Sequence, residues 1–293
     1  MSAMRQVNPD GPLVVAALRW TDLHAHVDPL TGQVDTDPRT SGASDADRCA
    51  LEHALRIAEA WGGRVLAVTA GPPDADAMLR EALAVGAHAA LRIDMTWHDV
   101  ASDGSAVAAA IARAVHTRHG LPDLVLCGVH SVDRGTGAVP AFLAHALGAT
   151  QALGLLDVQA GAPGEPLRCV RRLDGGYREV LQVSAPAVLS VEPTHVRLRR
   201  ASLPALLAAR EAPIDVVSAG PTRDPRVTVD HAGPYRPRPR VLPPPASDNP
   251  RERLLALTGA LVERTPPRVV VPENVAAAAD ELLAFLRQHG YLS

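Results

Sequence analysis

The sequence predicts an α/β protein with a parallel sheet covered by helices on both faces. Two observations carry this reading over the first two-thirds of the 293 residues. Continuous apolar runs, the mark of strands buried on both sides, alternate with amphipathic helical segments. The connections between them are short, as strand–helix–strand units require.

The elements follow in order. LVVAAL (13–18) is the first buried strand. ALEHALRIAEAWG (50–62) is an amphipathic helix with Leu51, Ala54, Leu55, Ala58 and Trp61 on one face, and Gly62 and Gly63 stop it. RVLAVTAG (64–71) is a second strand, 74–86 a helix ending at Gly86, AALRID (89–94) a third strand, and 106–120 a third helix. DLVLCG (123–128) is the fourth strand. SVDRGTGAVPAFLAHALG (131–148) then turns helical, with Val139, Phe142, Leu143, Ala146 and Leu147 on one face. Next, 167–173 and 177–184 flank Asp174-Gly175-Gly176 as a hairpin, and 186–193 is another apolar strand. The Pro- and Arg-rich stretch 233–250 reads as an extended arm. The tail is expected to form a helix (251–264), a short strand (268–272) and a last helix (273–289), whose apolar face is Ala276, Leu282, Leu283, Phe285 and Leu286. Two parts result: an α/β domain over 11–220, and an arm with a helical segment over 221–293.

Composition narrows the function. A net charge of −3 leaves no electrostatic footprint for nucleic acid or an anionic membrane, and 3% aromatics supply no base-stacking platform. No window reaches the ~20 apolar residues of a membrane span. The N-terminus lacks an apolar signal core, and the three dispersed cysteines, Cys49, Cys127 and Cys169, read as free buried thiols. A soluble cytoplasmic protein is expected.

In such sheets ligands bind beyond the carboxyl ends of the strands. That rule selects Ala16–Arg19, Thr69–Pro72 and Gly128–Gly137. In the last stretch, Gly135 and Gly137 allow backbone to approach a phosphate, Thr136 and Ser131 add hydroxyls, and the following helix offers free N–H groups. Asp133 would repel a phosphate and fits better as a cap, a ribose partner or a turn former. Two readings fit these residues: a nucleotide site, or an ordinary loop capped by Asp133 or Thr136. The stretch has no P-loop lysine, so hydrolysis of ATP by that route is not expected.

Several motifs, in order over 13–215, resemble the electron transfer flavoprotein beta subunit. They are LVVAALRWTD (13–22), DADRCALEHALRIAE (45–59), VLAVTAGP (65–72), LREALAVGAHAAL (79–91), DLVLCGVHSVDRGTG (123–137), RRLDGGYREVLQVSAPAVLSVEP (171–193) and SLPALLAARE (202–211). The resemblance implies an adenine nucleotide alpha-hydrolase-like, Rossmann-like fold with a β-hairpin addition and a C-terminal arm. It implies an electron carrier rather than an enzyme, paired with an alpha subunit that holds most of the FAD. The beta chain then carries AMP, or a second FAD, and a flavin-linked dehydrogenase supplies electrons. Carried over position by position, Ala16, the stretch Ser44, Asp45, Ala46 and Asp47, then Ala70, and Gly128 with Ser131, Asp133, Gly135, Thr136 and Gly137 correspond to the nucleotide site. Leu203 corresponds to the exposed leucine that anchors dehydrogenases, and Arg197, Arg199 and Arg200 form a basic patch just before it that would steer an acidic partner. Leu18 stands where the family usually has Lys, Ser44 where it has Asn and Ala138 where it has Gln. The run after Leu-Pro, Ala208-Ala209-Arg210-Glu211, replaces a lysine-rich one and implies a specialised partner, as in beta subunits associated with mycofactocin-type redox systems.

Other residues receive plainer readings. His24 and His26 are expected as solvated loop histidines, and His116 and His119 as last-turn helix charges. Glu52 is read as an exposed or N-terminal helix charge rather than a catalytic group. No metal-ligand spacing and no nucleophile–base pair can be assigned. The rival class is a stand-alone adenine-nucleotide regulator of the universal stress protein type, which would have little use for residues 150–293.

Overall fold

The structure, a computed structural model, describes residues 11–96, 103–220, 233–234, 247–258 and 269–292. The chain divides into two compact units, Met1–Tyr235 and Arg236–Ser293.

The first unit is built on one nine-stranded sheet. Its strands are β1 (Leu13–Ala17), β6 (Arg64–Gly71), β7 (Ala89–Asp94), β8 (Leu124–Gly128), β9 (Thr150–Gln159), β10 (Leu167–Arg172), β11 (Arg178–Val183), β12 (Ala187–Val191) and β13 (Asp215–Ser218). The order is β11-β10-β9-β12-β8-β1-β6-β7-β13. Every pairing from β9 to β13 is parallel, and β9-β10-β11 is an antiparallel meander at one edge. Four further strands, β2 (Thr21–Asp22), β3 (His26–Val27), β4 (Val34–Asp35) and β5 (Ser41–Gly42), form two small antiparallel pairs, β2–β5 and β3–β4, between β1 and the first helix.

Strand alternation splits the core into two layers. Val14 and Ala16 of β1 face the layer that holds Leu51, Leu55 and Ala58 of α1 (Asp45–Trp61) and Leu79 of α2 (Asp76–Ala84). Leu13, Val15 and Ala17 face the layer that holds Val107 and Ile111 of α3 (Gly104–His119) and Leu143 of α4 (Ala138–Leu147). The parallel sheet covered on both sides is therefore as the apolar runs predict.

Differences from expectation have local causes. Helix α1 begins at Asp45 rather than 50, because Ser44 and Asp47 close a capping box ahead of the apolar stripe. In α4 the buried residues are Pro140, Leu143 and Ala144, whereas Phe142 is 42% exposed and Ala146 is also exposed. The helix is thus turned toward its 140/143/144 stripe. Strand β9 carries no clean alternation in sequence. Gly154 interrupts it at φ +69°, its N–H donates to the Ser190 hydroxyl (2.9 Å), and the register slips against both neighbours. The Asp174–Gly176 turn does join β10 and β11, with both glycines at positive φ.

A shorter helix, α5 (Leu203–Glu211), precedes β13. In the second unit, α6 (Pro250–Leu257) and α7 (Val275–Gln288) are each capped by an asparagine, Asn249 and Asn274. Residues 269–272 form no strand, contrary to expectation, and Val269 and Val271 are almost fully exposed. The apolar face expected on α7 exists but is not buried, with Leu282 and Phe285 about half exposed. Most of the arm expected over 233–250, and the end of the helix expected to reach 264, lie outside the described residues.

Candidate functional site

A cleft opens at the carboxyl ends of β1, β6 and β8, which is where the strand-end rule points. Asp47, Ala70, Gly128, Ser131, Thr136 and Gly137 line it together. The side facing α3 and α4 is apolar, with Val107, Ile111 and Val139.

The sequence explains why these elements meet. Gly128 ends β8 directly against the first turn of α1: a Cβ there would lie 2.8 Å from Asp47 Oδ1 and 3.1 Å from the Ala46 Cβ. Only glycine lets the helix terminus approach the strand this closely. Gly137 is similarly confined, since a Cβ would lie 2.6 Å from the Val129 carbonyl oxygen. Between them the loop is tied to itself, Ser131 N–H donating to the Thr136 carbonyl (2.9 Å) and Gly135 N–H to the Ser131 carbonyl (2.8 Å). Gly135 takes the left-handed conformation that this turn needs, at φ +63°.

No side chain caps α4. Of the two readings of this loop, the cap by Asp133 or Thr136 is therefore not what the structure forms. The first turn of α4 faces the cleft with its helix dipole uncompensated by a cap, although Pro140 contributes no N–H there. Asp133 instead grips Arg19 with two bonds, from Nε to Oδ1 at 2.9 Å and from Nη2 to Oδ2 at 2.5 Å. This fork ties the glycine-rich loop to the end of β1.

The remaining expected residues stand around the cleft rather than in it. Ala16 is fully buried in the opposite core layer, and its neighbour Ala17 lines the cleft instead; the two-residue period of the strand explains the shift by one. Ser44 and Ala46 are buried behind it. The Ser44 hydroxyl donates to Asp47 Oδ2 (2.7 Å), so Ser44 orients the carboxylate that does reach the cleft. Asp45 opens onto a separate broad groove.

Three polar cleft residues escaped sequence reasoning: Arg19, His130 and Arg134. All lie inside the strand-end windows, but attention to small and hydroxyl residues passed over them. Leu18 lines the cleft without a charge, and the guanidinium of Arg19 beside it is paired with Asp133. Cys127 is buried, and burial pushes its thiol far above the ordinary range, so it acts as apolar wall.

Burial also pushes Asp47 up, to about 6, against the opposing bonds from Ser44 and Gly128 and the nearby Arg19 charge. The folded state thus keeps a proton that the unfolded chain releases near pH 4. Stability from this group is present below that pH and falls as pH rises towards 6. Comparing urea unfolding of the native chain with Asp47→Asn, we expect the native chain to lose about 2 kcal/mol relative to the variant between pH 4 and 7. A difference that stays constant with pH would contradict the assignment.

The second expected site is the neighbourhood of α5. Leu203 is 69% exposed, and Leu206 and Leu207 are exposed beside it. Arg197 and Arg200 are also exposed. Arg199 departs from the expected docking patch, because its guanidinium is held inside the chain. Its Nε donates to Glu52 Oε2 at 3.0 Å, its Nη2 reaches Glu52 at 3.2 Å, and it also pairs with Glu59. Glu52 is correspondingly buried, not the exposed helix charge expected. Burial works to raise its pKa, but the bonds from Arg199 and Arg56 outweigh it and hold the carboxylate below the ordinary range. His24 and His26 are exposed, as expected, and no group of three metal-ligating side chains occurs among the described residues.

The electron transfer flavoprotein domain profile matches residues 31–222, about two-thirds of the chain. The chain belongs to the electron transfer flavoprotein family. It is 33% identical to the electron transfer flavoprotein subunit beta of Thermoanaerobacterium thermosaccharolyticum, over 56% of this chain and 61% of that one. It is 31% identical to the subunit beta of Methylophilus methylotrophus, over 63% and 70% respectively. It is 30% identical to protein FixA of Azorhizobium caulinodans, over 66% and 69%. The chain thus spans between 61% and 70% of the length of these relatives. Within the electron transfer flavoprotein family it sides with the beta-subunit sequences, and no described helix is long and apolar enough to cross a membrane.

Proposed function

We propose that this chain is the beta subunit of a heterodimeric electron transfer flavoprotein, a cytoplasmic carrier rather than an enzyme with its own substrate. The observation that carries this is the family match over 31–222, which includes most of the cleft-lining loops. FAD, held mainly by the alpha subunit, accepts electrons from a flavin-linked dehydrogenase and passes them on.

This chain's own cleft holds an adenine nucleotide, AMP by preference and a second FAD as the alternative. The cleft combines an apolar wall with a small number of convergent polar groups, the usual make-up of a small-molecule site. Arg134, the hydroxyls of Ser131 and Thr136, and the uncapped start of α4 suit a phosphate. Asp47 suits an acceptor role towards an adenine amino group or a ribose hydroxyl. Leu203, with Arg197 and Arg200, docks the dehydrogenase. The chain is organised as a nucleotide-binding domain over 11–220 and a segment over 221–293 that contacts the alpha subunit, for which the exposed apolar face of α7 is the natural surface.

The test is to co-express the chain with its alpha subunit, denature the purified complex and identify the released nucleotides. FAD with equimolar AMP is expected. Two FAD per heterodimer would make the second site a flavin site. No complex and no flavin would overturn the proposal in favour of the stand-alone regulator.

A further inference from the structure

Helix α5 lacks what usually holds a surface helix in place. It has nine residues, too few to be stable alone, and only Ala209 is buried. Its three leucines, Leu203, Leu206 and Leu207, point to solvent and contribute little core packing. No glycine ends it either, since Ala212 occupies the C-cap in an extended conformation.

Polar ties hold it instead. At the amino end, the Ser202 hydroxyl accepts from Ala205 N–H (3.3 Å), and three residues earlier Arg199 is anchored to Glu52 and Glu59 of α1. At the carboxyl end, Arg80 reaches across from α2. Its Nη1 lies 2.9 Å from the Ala209 carbonyl oxygen, 2.6 Å from that of Arg210 and 3.1 Å from that of Ala212. These are carbonyls that a helix end leaves without partners, and a cation there also matches the negative end of the helix dipole.

We propose that Arg80 is a positioning residue for partner docking: a cap supplied from α2 that keeps α5 helical and its leucines presented outward. The inference rests on the docking reading of Leu203. It assigns the outward display to bonds made behind the helix, by a side chain that never touches the partner. When the cap is lost, α5 frays, the docking-competent fraction falls, and apparent affinity falls with it.

The test uses the purified alpha–beta complex with Arg80→Gln, Arg80→Lys and Leu203→Ala. Two readouts are taken: trypsin cleavage after Arg210, followed by mass spectrometry, and steady-state reduction by the dehydrogenase that reduces the native complex. Arg80→Gln is expected to speed cleavage at Arg210 about tenfold and to raise KM for the complex about fivefold, with kcat unchanged. Lysine keeps the charge and three donors, so Arg80→Lys should restore most of both. Leu203→Ala should raise KM without changing cleavage. If Arg80→Gln leaves cleavage unchanged, or speeds cleavage but leaves KM unchanged while Leu203→Ala raises it, the positioning role is overturned and docking at Leu203 stands. If Leu203→Ala leaves KM unchanged, the docking reading falls, and the role of Arg80 falls with it.

Discussion

A Gly137→Val chain is expected to assemble with its alpha subunit yet purify with its own cleft empty. The added Cβ would sit 2.6 Å from the Val129 carbonyl oxygen, a backbone atom in the connection just after β8. Neither side can yield cheaply, so the start of α4 must move away from the strand ends. That shift displaces Thr136 and the first turn of α4, the groups best placed to meet a phosphate. Overpacking of this kind costs about 1–3 kcal/mol, and if that cost falls on the bound state, affinity drops by roughly five- to a hundredfold. The check is the adenine nucleotide released per heterodimer on denaturation, with circular dichroism to confirm that the fold survives. Full retention of nucleotide would remove this loop from the site.

The second large effect is expected at Arg199. Replacing it with Ala leaves Glu52, whose side chain is only 4% exposed, with Arg56 as its remaining ionic partner (2.7 Å). Removing one member of a fully buried pair typically costs about 3–5 kcal/mol. Arg199 is one-third exposed and Arg56 remains, so a loss of about 2–3 kcal/mol is expected. Urea midpoints at pH 7 measure it. The loss should shrink in acid, because the stabilisation from a depressed carboxylate pKa disappears as that carboxylate protonates. A change below about 0.5 kcal/mol would mean that the pair is screened by solvent and that residues 196–202 are held by packing alone.

The central sheet was legible because β1, β6, β8 and β12 are continuous apolar runs with few other interpretations. Strand β9 was not, because Gly154 and the register slips erase its alternation. Strand β13 was missed because its four residues carry too little pattern to stand out between α5 and the proline-rich stretch. Half of the cleft was legible for a related reason. Glycines and hydroxyls at a strand end announce a tight turn whatever surrounds it. Arg19 and Arg134 announce nothing locally; they matter only once separate strand ends are brought side by side. Likewise, the burial of Glu52 could not be read from α1, because Arg199 and the chain that covers it lie 147 residues away.

The place of β12 has a consequence for how the chain is made. It lies between β8 and β9, yet it follows both, and the whole β10–β11 hairpin is synthesised before it. A nascent chain that has reached residue 186 therefore holds two mid-sheet strands with bare hydrogen-bonding edges facing the same vacant slot. Open edges of that kind recruit foreign strands, and long-range parallel pairing closes them slowly. Residues 187–191 act as a keystone. Until they leave the ribosome the meander cannot join the rest of the sheet, and in that interval the unpaired edges are open to misassociation.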